Sequence, residues 1–245
     1  MLQEFVRTGP LREITSYPAW AQEVVHESTP ALDAVLTHEL VSQMRDGKLA
    51  SKAARRFLLS GWQTVEQFPQ FMAMSLTKVR YGRSAGEDKA RRYLCRNILV
   101  EQRHAEQWVD WASAHDLTLD ELRHKKQPPE AHALSHWCGH VCVRDSLAVA
   151  MAATNYAVEG ITGQWTSIVC SSQTYELTFA PEIRTSAMRW LRVHAHYDDA
   201  HPWEAIEIVA MLLGTNPAPR DIDAIRAAIT NSYEYTRMVF DYCLE

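Results

Sequence analysis

The sequence predicts an all-α fold, and three observations carry that reading. Apolar residues recur at helical spacing along nearly all of the 245 residues. The period-two alternation of a half-buried strand is almost absent. Only nine glycines and ten prolines interrupt the chain. Hydrophobic residues make up 47%, enough for a sizeable core. No repeat, low-complexity segment or linker divides the chain, so residues 1–245 read as one domain.

The elements follow in order. Residues 1–28 read as an irregular arm with a short helix near Pro18-Ala-Trp20. Thr29-Pro30 reads as a cap followed by a first-turn proline, opening a helix to about Arg45. Ser51 caps a long helix to about Tyr81, with a bend expected at Pro69. A second long helix covers about 87–114, and Thr118-Leu-Asp-Glu121 is a capping box for a short one. Pro128-Pro129 opens a helix ending near Arg144, and Asp145 or Ser146 caps an apolar helix over 147–170. Residues 171–180 form a loop. Pro181 opens the helix holding His194, which Pro202 bends or restarts. A last helix runs from about Pro219 to Cys243.

Composition excludes several functions. Net charge is −5 with no basic patch, which argues against nucleic-acid binding. No apolar run reaches the length of a membrane span, and the first residues lack the pattern of a signal peptide. The five cysteines are odd in number and scattered, which fits reduced thiols in a cytoplasmic protein. Cys138 and Cys142 are four apart but have no second pair to complete a zinc site.

The chemistry concentrates in His194-Ala-His-Tyr-Asp-Asp-Ala-His201. On one continuous helix, His194, Asp198 and His201 would share an arc of about 60°, while His196 and Asp199 point elsewhere. Such a face is ordinarily solvated surface. Here the flanks Ala187–Val193 and Ile206–Leu213 are largely apolar, which predicts burial. Buried charge needs a partner or a metal, and two imidazoles with a carboxylate suit iron. More ligands must come from other helices. Glu101 and His104 form a Glu-x-x-His pair, the spacing of di-iron carboxylate bundles, though weak alone. Glu159 is the one charge in an otherwise uncharged helical run, followed by Gly160 and Gly163. Three carboxylates and three histidines make the donor count of a two-iron site.

One Glu-x-x-His, one isolated Glu and one His-x3-Asp-x2-His resemble the haem-oxygenase-like di-iron oxidases. Further stretches resemble the undecene-forming medium-chain fatty-acid decarboxylases, the UndA family. They include Arg7-Thr-Gly-Pro-Leu11, Ser16–Trp20, Gly61-Trp62, Val65–Phe68, Pro128–Glu130, His132–Cys138, Ala152–Ala157 and Tyr197–Glu204. The resemblance implies a haem-oxygenase-like (thiaminase/TenA-like) helical bundle. It also implies metal ligands at Glu101, His104, Glu159, His194, Asp198 and His201, holding two ferrous ions. The implied reaction converts a fatty acid such as dodecanoic acid to 1-undecene and CO2, with hydrogen taken from C3. O2 is the co-substrate, and an external electron donor, unnamed by the sequence, supplies two electrons. Candidate residues for the apolar channel are Trp190, Phe240, Met238, Phe68 and Met72, with Trp62, Phe71 and Leu76 in reserve. Two competing readings are a related di-iron oxidase acting on another small carboxylate or amino acid, and a thiaminase-like hydrolase. The hydrolase needs a reactive cysteine beside an acidic pair and no metal.

Overall fold

The computed structural model describes residues 3–197 and 200–245. Among them the structure is helical, with no strand. The helices are α1 (Ala19–Leu36), α2 (Glu39–Arg45), α3 (Ser51–Leu76), α4 (Ala85–Ser113), α5 (Leu119–His124) and α6 (Ala133–Arg144). They continue as α7 (Leu147–Met151), a π-helical segment (Ala152–Val158), α8 (Glu159–Cys170), α9 (Arg184–Tyr197), α10 (His201–Leu213) and α11 (Pro219–Leu244). No helix among the described residues is long and apolar enough to cross a membrane.

Local chemistry sets most of the boundaries. Ser84 accepts the Glu87 backbone N–H at 3.1 Å and starts α4, whose first turn carries Glu87 and Asp88 against the positive end of the helix dipole. Thr118 and Glu121 close the expected capping box on α5. Ser146, rather than Asp145, caps α7. Gly214 takes a φ of 75° to end α10, and the Gln3 carbonyl packs where its Cβ would stand. The last helix matches its expected span within one residue.

Three expectations need correction. The helix expected from Thr29 begins at Ala19, with Pro30 inside it. Trp20, Ala21 and Val24 form a buried stripe, and that packing outweighs the donor lost at Pro30. The same helix does not reach Arg45: His38 is extended, accepts the Leu40 N–H on its ring, and starts α2. The segment 147–170 is not uniformly α-helical, because its middle is a π-helix.

One core joins the helices. α3 packs along α4, α1 along α11, and α8 along α9. At its centre Phe57, Trp108, Trp111, Trp165 and Trp190 pack ring on ring. Trp108 and Trp111 are among the largest fully buried side chains. Gly61 on α3 permits this contact, since a Cβ there would fall 2.5 Å from the Trp108 ring.

Candidate metal centre and adjoining cavity

The inner face of α4 reads Tyr93, Asn97, Glu101, His104, Trp108, Trp111, and all six are buried. A polar middle therefore interrupts an apolar stripe. Glu101 and His104 are one turn apart, and His104 Nδ1 lies 2.8 Å from Glu101 Oε2. The carboxylate only accepts, so Nδ1 carries the proton and Nε2 keeps the lone pair. On α9, His194 Nδ1 lies 2.8 Å from the Trp190 carbonyl, which assigns the same tautomer to that ring. The two imidazoles face each other across α4 and α9 with centroids 4.3 Å apart. Trp190 covers His194 from behind, its ring 3.9 Å away.

Glu159 opens α8 immediately after the π-helical segment and is 6% exposed. Tyr93 Oη donates to its Oε2 and Asn155 Nδ2 to its Oε1, each at 3.1 Å. The two hydrogen bonds fix the plane of the carboxylate. Tyr93 Oη also lies 3.4 Å from the His201 carbonyl, and its ring stands edge-on to the His201 ring at 6.2 Å.

Glu101, His104, Glu159 and His194 line one cavity of about 50 Å3, walled by Val65, Phe68, Val158 and Trp190. Val65, Val158 and Trp190 are shared with a second cavity of about 70 Å3 that runs on to Trp165, Val239 and Phe240. No lysine, arginine or cysteine lines either. A larger surface groove, about 510 Å3, passes Tyr156, Gln164 and Trp203. It holds none of the expected donors, so chemistry rather than volume selects the smaller cavities.

His194 and His201 are buried, as their apolar flanks predict. They do not share one helix: α9 ends at Tyr197, and His201 is the first residue of α10. The shared 60° arc therefore does not describe them. Asp198 lies outside the described residues. Among the described residues no three of His, Cys, Asp and Glu converge into a metal-holding group.

Of the expected channel residues, Trp190 lines both cavities, Phe68 the first and Phe240 the second. Met238 does not: it sits on the outer face of α11, 41% exposed, while its neighbours Val239 and Phe240 turn inward. Met72 is buried core and lines neither cavity; the same holds for Trp62 and Phe71, and Leu76 is partly buried outside both. Sequence reasoning missed Tyr93 and Asn155. The signals were present, because Tyr93 shares the helical face of Glu101 and Asn155 precedes Glu159 by four residues.

The thiols offer no nucleophile to this site. Burial pushes Cys170 up to about 11 and Cys243 up to about 12, and raises Cys138 and Cys142 as well.

A family model of iron-containing redox enzymes matches residues 55–236. A TenA homologue from Pseudomonas syringae pv. tomato is 52% identical and superposes with a TM-score of 0.97 over 99% of both chains. A TenA homologue from Pyrococcus furiosus is 12% identical, with a TM-score of 0.73 over 91% of this chain and 99% of that one. A Shewanella denitrificans domain of unknown function with a haem-oxygenase-like fold is 14% identical, with a TM-score of 0.72 over 91% and 90%. The last two similarities show the fold alone. No curated protein matches the chain.

Proposed function

The chain belongs to the family of iron-containing redox enzymes, and from that premise we propose that it is a di-iron fatty-acid decarboxylase of the UndA type. Its substrates are a medium-chain fatty acid, such as dodecanoic acid, and O2; its products are a terminal alkene and CO2. The observation that carries this reading is the junction at Trp190. On one side stand two carboxylates and two imidazoles with no basic side chain in the lining, and on the other a cavity of hydrocarbon and indole.

Glu101, His104, Glu159, His194, Asp198 and His201 are the proposed ligands. The donor chemistry fits iron: imidazole and carboxylate are its usual partners, and two buried carboxylates call for a cation. The irons, when bound, supply O2 reduction and positive charge for the substrate carboxylate. That charge takes the place of the arginine clamp the cavity lacks.

The chain's own residues do the rest. The Nδ1 hydrogen bonds of His104 and His194 hold both rings with Nε2 as the ligating nitrogen. Tyr93 and Asn155 hold Glu159 in one orientation. Trp190 separates the polar floor from the second cavity, and the fatty tail passes it towards Phe240. The walls exclude water from the carbon that loses hydrogen. Loss of hydrogen from C3 and cleavage of C1–C2 leave a C2=C3 double bond and release two electrons. Reduction of O2 to two waters takes four, so two come from an external donor.

The test is direct. Apo-protein receives Fe(II) anaerobically, then dodecanoic acid and O2, and the headspace is analysed. Equal amounts of 1-undecene and CO2 are expected; dodecanoic acid recovered intact overturns the reading.

A second reading, a TenA-like hydrolase, is favoured by the 52% identical relative, which is described as a TenA homologue. It needs a reactive thiol in the site. No cysteine lines either cavity, which supports the oxidase instead. An amino-acid substrate needs a counter-charge for its ammonium, and Glu101 and Glu159 are the only acidic residues in the lining.

A further inference from the structure

The proposed reaction draws two electrons from outside, yet the cavity that receives them is buried. A run of aromatic side chains leads from it towards the surface. The Trp190 ring packs on His194, and Trp190 stacks on Trp111 at 5.6 Å and 24°. Trp111 Nε1 donates to Tyr175 Oη at 3.0 Å. Tyr175 Oη lies 3.0 Å from His115 Nε2, and His115 is half-buried in the turn after α4. We propose that Trp190, Trp111 and Tyr175, with His115 as proton acceptor, form a one-electron relay between the candidate centre and the surface. What the relay serves rests on the oxidase reading; the relay itself does not.

Indole and phenol are the side chains most easily oxidised by one electron, and each step here is a ring contact or a hydrogen bond. The polarity of the last step is set by inventory. Trp111 N–H only donates, so the buried Tyr175 hydroxyl proton has His115 Nε2 as its acceptor. Burial holds His115 down to about 4, with Arg55 adding to the effect and Asp116 opposing it. The imidazole is therefore neutral at physiological pH and able to take a proton. Burial also raises the Tyr175 hydroxyl, so its proton leaves together with an electron. Packing alone does not ask for this ending. Trp108 also touches Trp190, but its N–H ends on the Leu58 carbonyl, which takes up no proton.

The balance is as follows. A one-electron oxidant in the cavity takes an electron from Trp190, Trp111 refills Trp190, and Tyr175 refills Trp111. Tyr175 then gives its proton to His115, leaving a neutral tyrosyl radical and an imidazolium. A one-electron reductant of the ascorbate class returns the electron, and His115 returns the proton. Two passes supply the two electrons.

The first test uses metal-free protein. Arg103 is exposed on α4 and lines the surface pocket above His104. Arg103→Cys, in a Cys95→Ser background, carries a ruthenium polypyridyl photo-oxidant. After a flash, frozen samples are read by electron paramagnetic resonance. A neutral tyrosyl radical is expected, reduced about tenfold or more by Trp111→Phe, Tyr175→Phe or His115→Gln, and unchanged by Tyr235→Phe. Circular dichroism checks that each variant is folded. No tyrosyl radical, or one that survives Tyr175→Phe, overturns the proposal. A second arm gives wild type Fe(II), O2 and ascorbate without fatty acid. Ascorbate oxidation should fall about tenfold in Tyr175→Phe with iron uptake unchanged. A radical in the first arm with no iron uptake in the second sinks the oxidase reading and leaves the relay standing. Alkene formation without a tyrosyl radical in the first arm does the reverse.

Discussion

The two sides of the candidate centre carry similar donors on different backbone. On the α4/α9 side, Glu101 and His104 sit within an unbroken 29-residue helix, and His194 is tied to a carbonyl one turn earlier. On the α8/α10 side, Glu159 follows seven residues of π-helix, and His201 begins a helix whose second residue is Pro202. The first side is fixed by regular main-chain hydrogen bonding. The second relies on two side chains, Tyr93 and Asn155, to hold its carboxylate. Irregular backbone opens more cheaply than a continuous helix. The comparison therefore predicts one firm metal position, at Glu101, His104 and His194, and one soft position, at Glu159, Asp198 and His201.

The largest effect should come from the firm side. His194→Ala should lower alkene formation by more than the roughly 100-fold typical of losing a supporting residue, and should lower bound iron with it. His196→Ala, which helical phase turns away, should leave iron uptake intact. Full activity in His194→Ala would remove α9 from the centre.

Next comes Asn155→Ala. Titration of wild-type apo-protein with Fe(II), followed by calorimetry or Mössbauer spectroscopy, should resolve a tight and a loose class. The variant should weaken the loose class by about 10–100-fold and spare the tight one. Two equal, tight classes in wild type before substrate is added would erase the distinction between the sides.

A smaller effect is expected where α8 meets α10. A Cβ at Gly160 would stand 3.3 Å from Pro202 Cβ, a close but yielding contact. The helix preference of alanine, about 1 kcal/mol over glycine, offsets that crowding. Gly160→Ala should stay within about 1 kcal/mol of wild-type stability, a shift in unfolding midpoint below about 4 °C. A larger loss would mean that the α8/α10 side is as rigid as the other.

Mild acidification should affect the site least. His115 drops from its ordinary 6.5 to about 4 in the folded protein, chiefly through burial. Between those values the unfolded chain binds a proton that the folded one does not, so stability falls as pH drops from 6.5 and this contribution ends near 4. Chemical denaturation at several pH values should show that slope in wild type and not in His115→Gln.

Legibility in the sequence divides along the same line. Caps written as single residues, such as Ser84, Thr118 and Ser146, fixed helix starts that the structure shares. Glu101 and His104 were legible because regular helical phase is what sequence spacing encodes. The α8/α10 side defeated that arithmetic twice. A π-helix has no compositional mark in an apolar run, and the α9/α10 break removed the continuous helix on which the arc of His194, Asp198 and His201 depended. Met238 failed for a subtler reason. On α11 only one residue of displacement separates the outer face from Val239 and Phe240, and a flexible apolar side chain gives no clue to its side.

The π-helical segment also bears on how this chain tolerates length changes. A turn closed from residue i to i+5 holds one residue more than a turn closed from i to i+4. Removing one residue between Ala152 and Val158 would let the segment relax into an ordinary α-helix. Everything after it would then rotate by about 100° relative to everything before it. Glu159 would swing out of the cavity with no atom of the centre itself altered. A single-codon deletion there should therefore be more harmful than most substitutions at the same seven positions. When this chain is compared with a distant relative lacking the extra residue, the matching glutamate should fall opposite a gap unless the gap is placed inside 152–158.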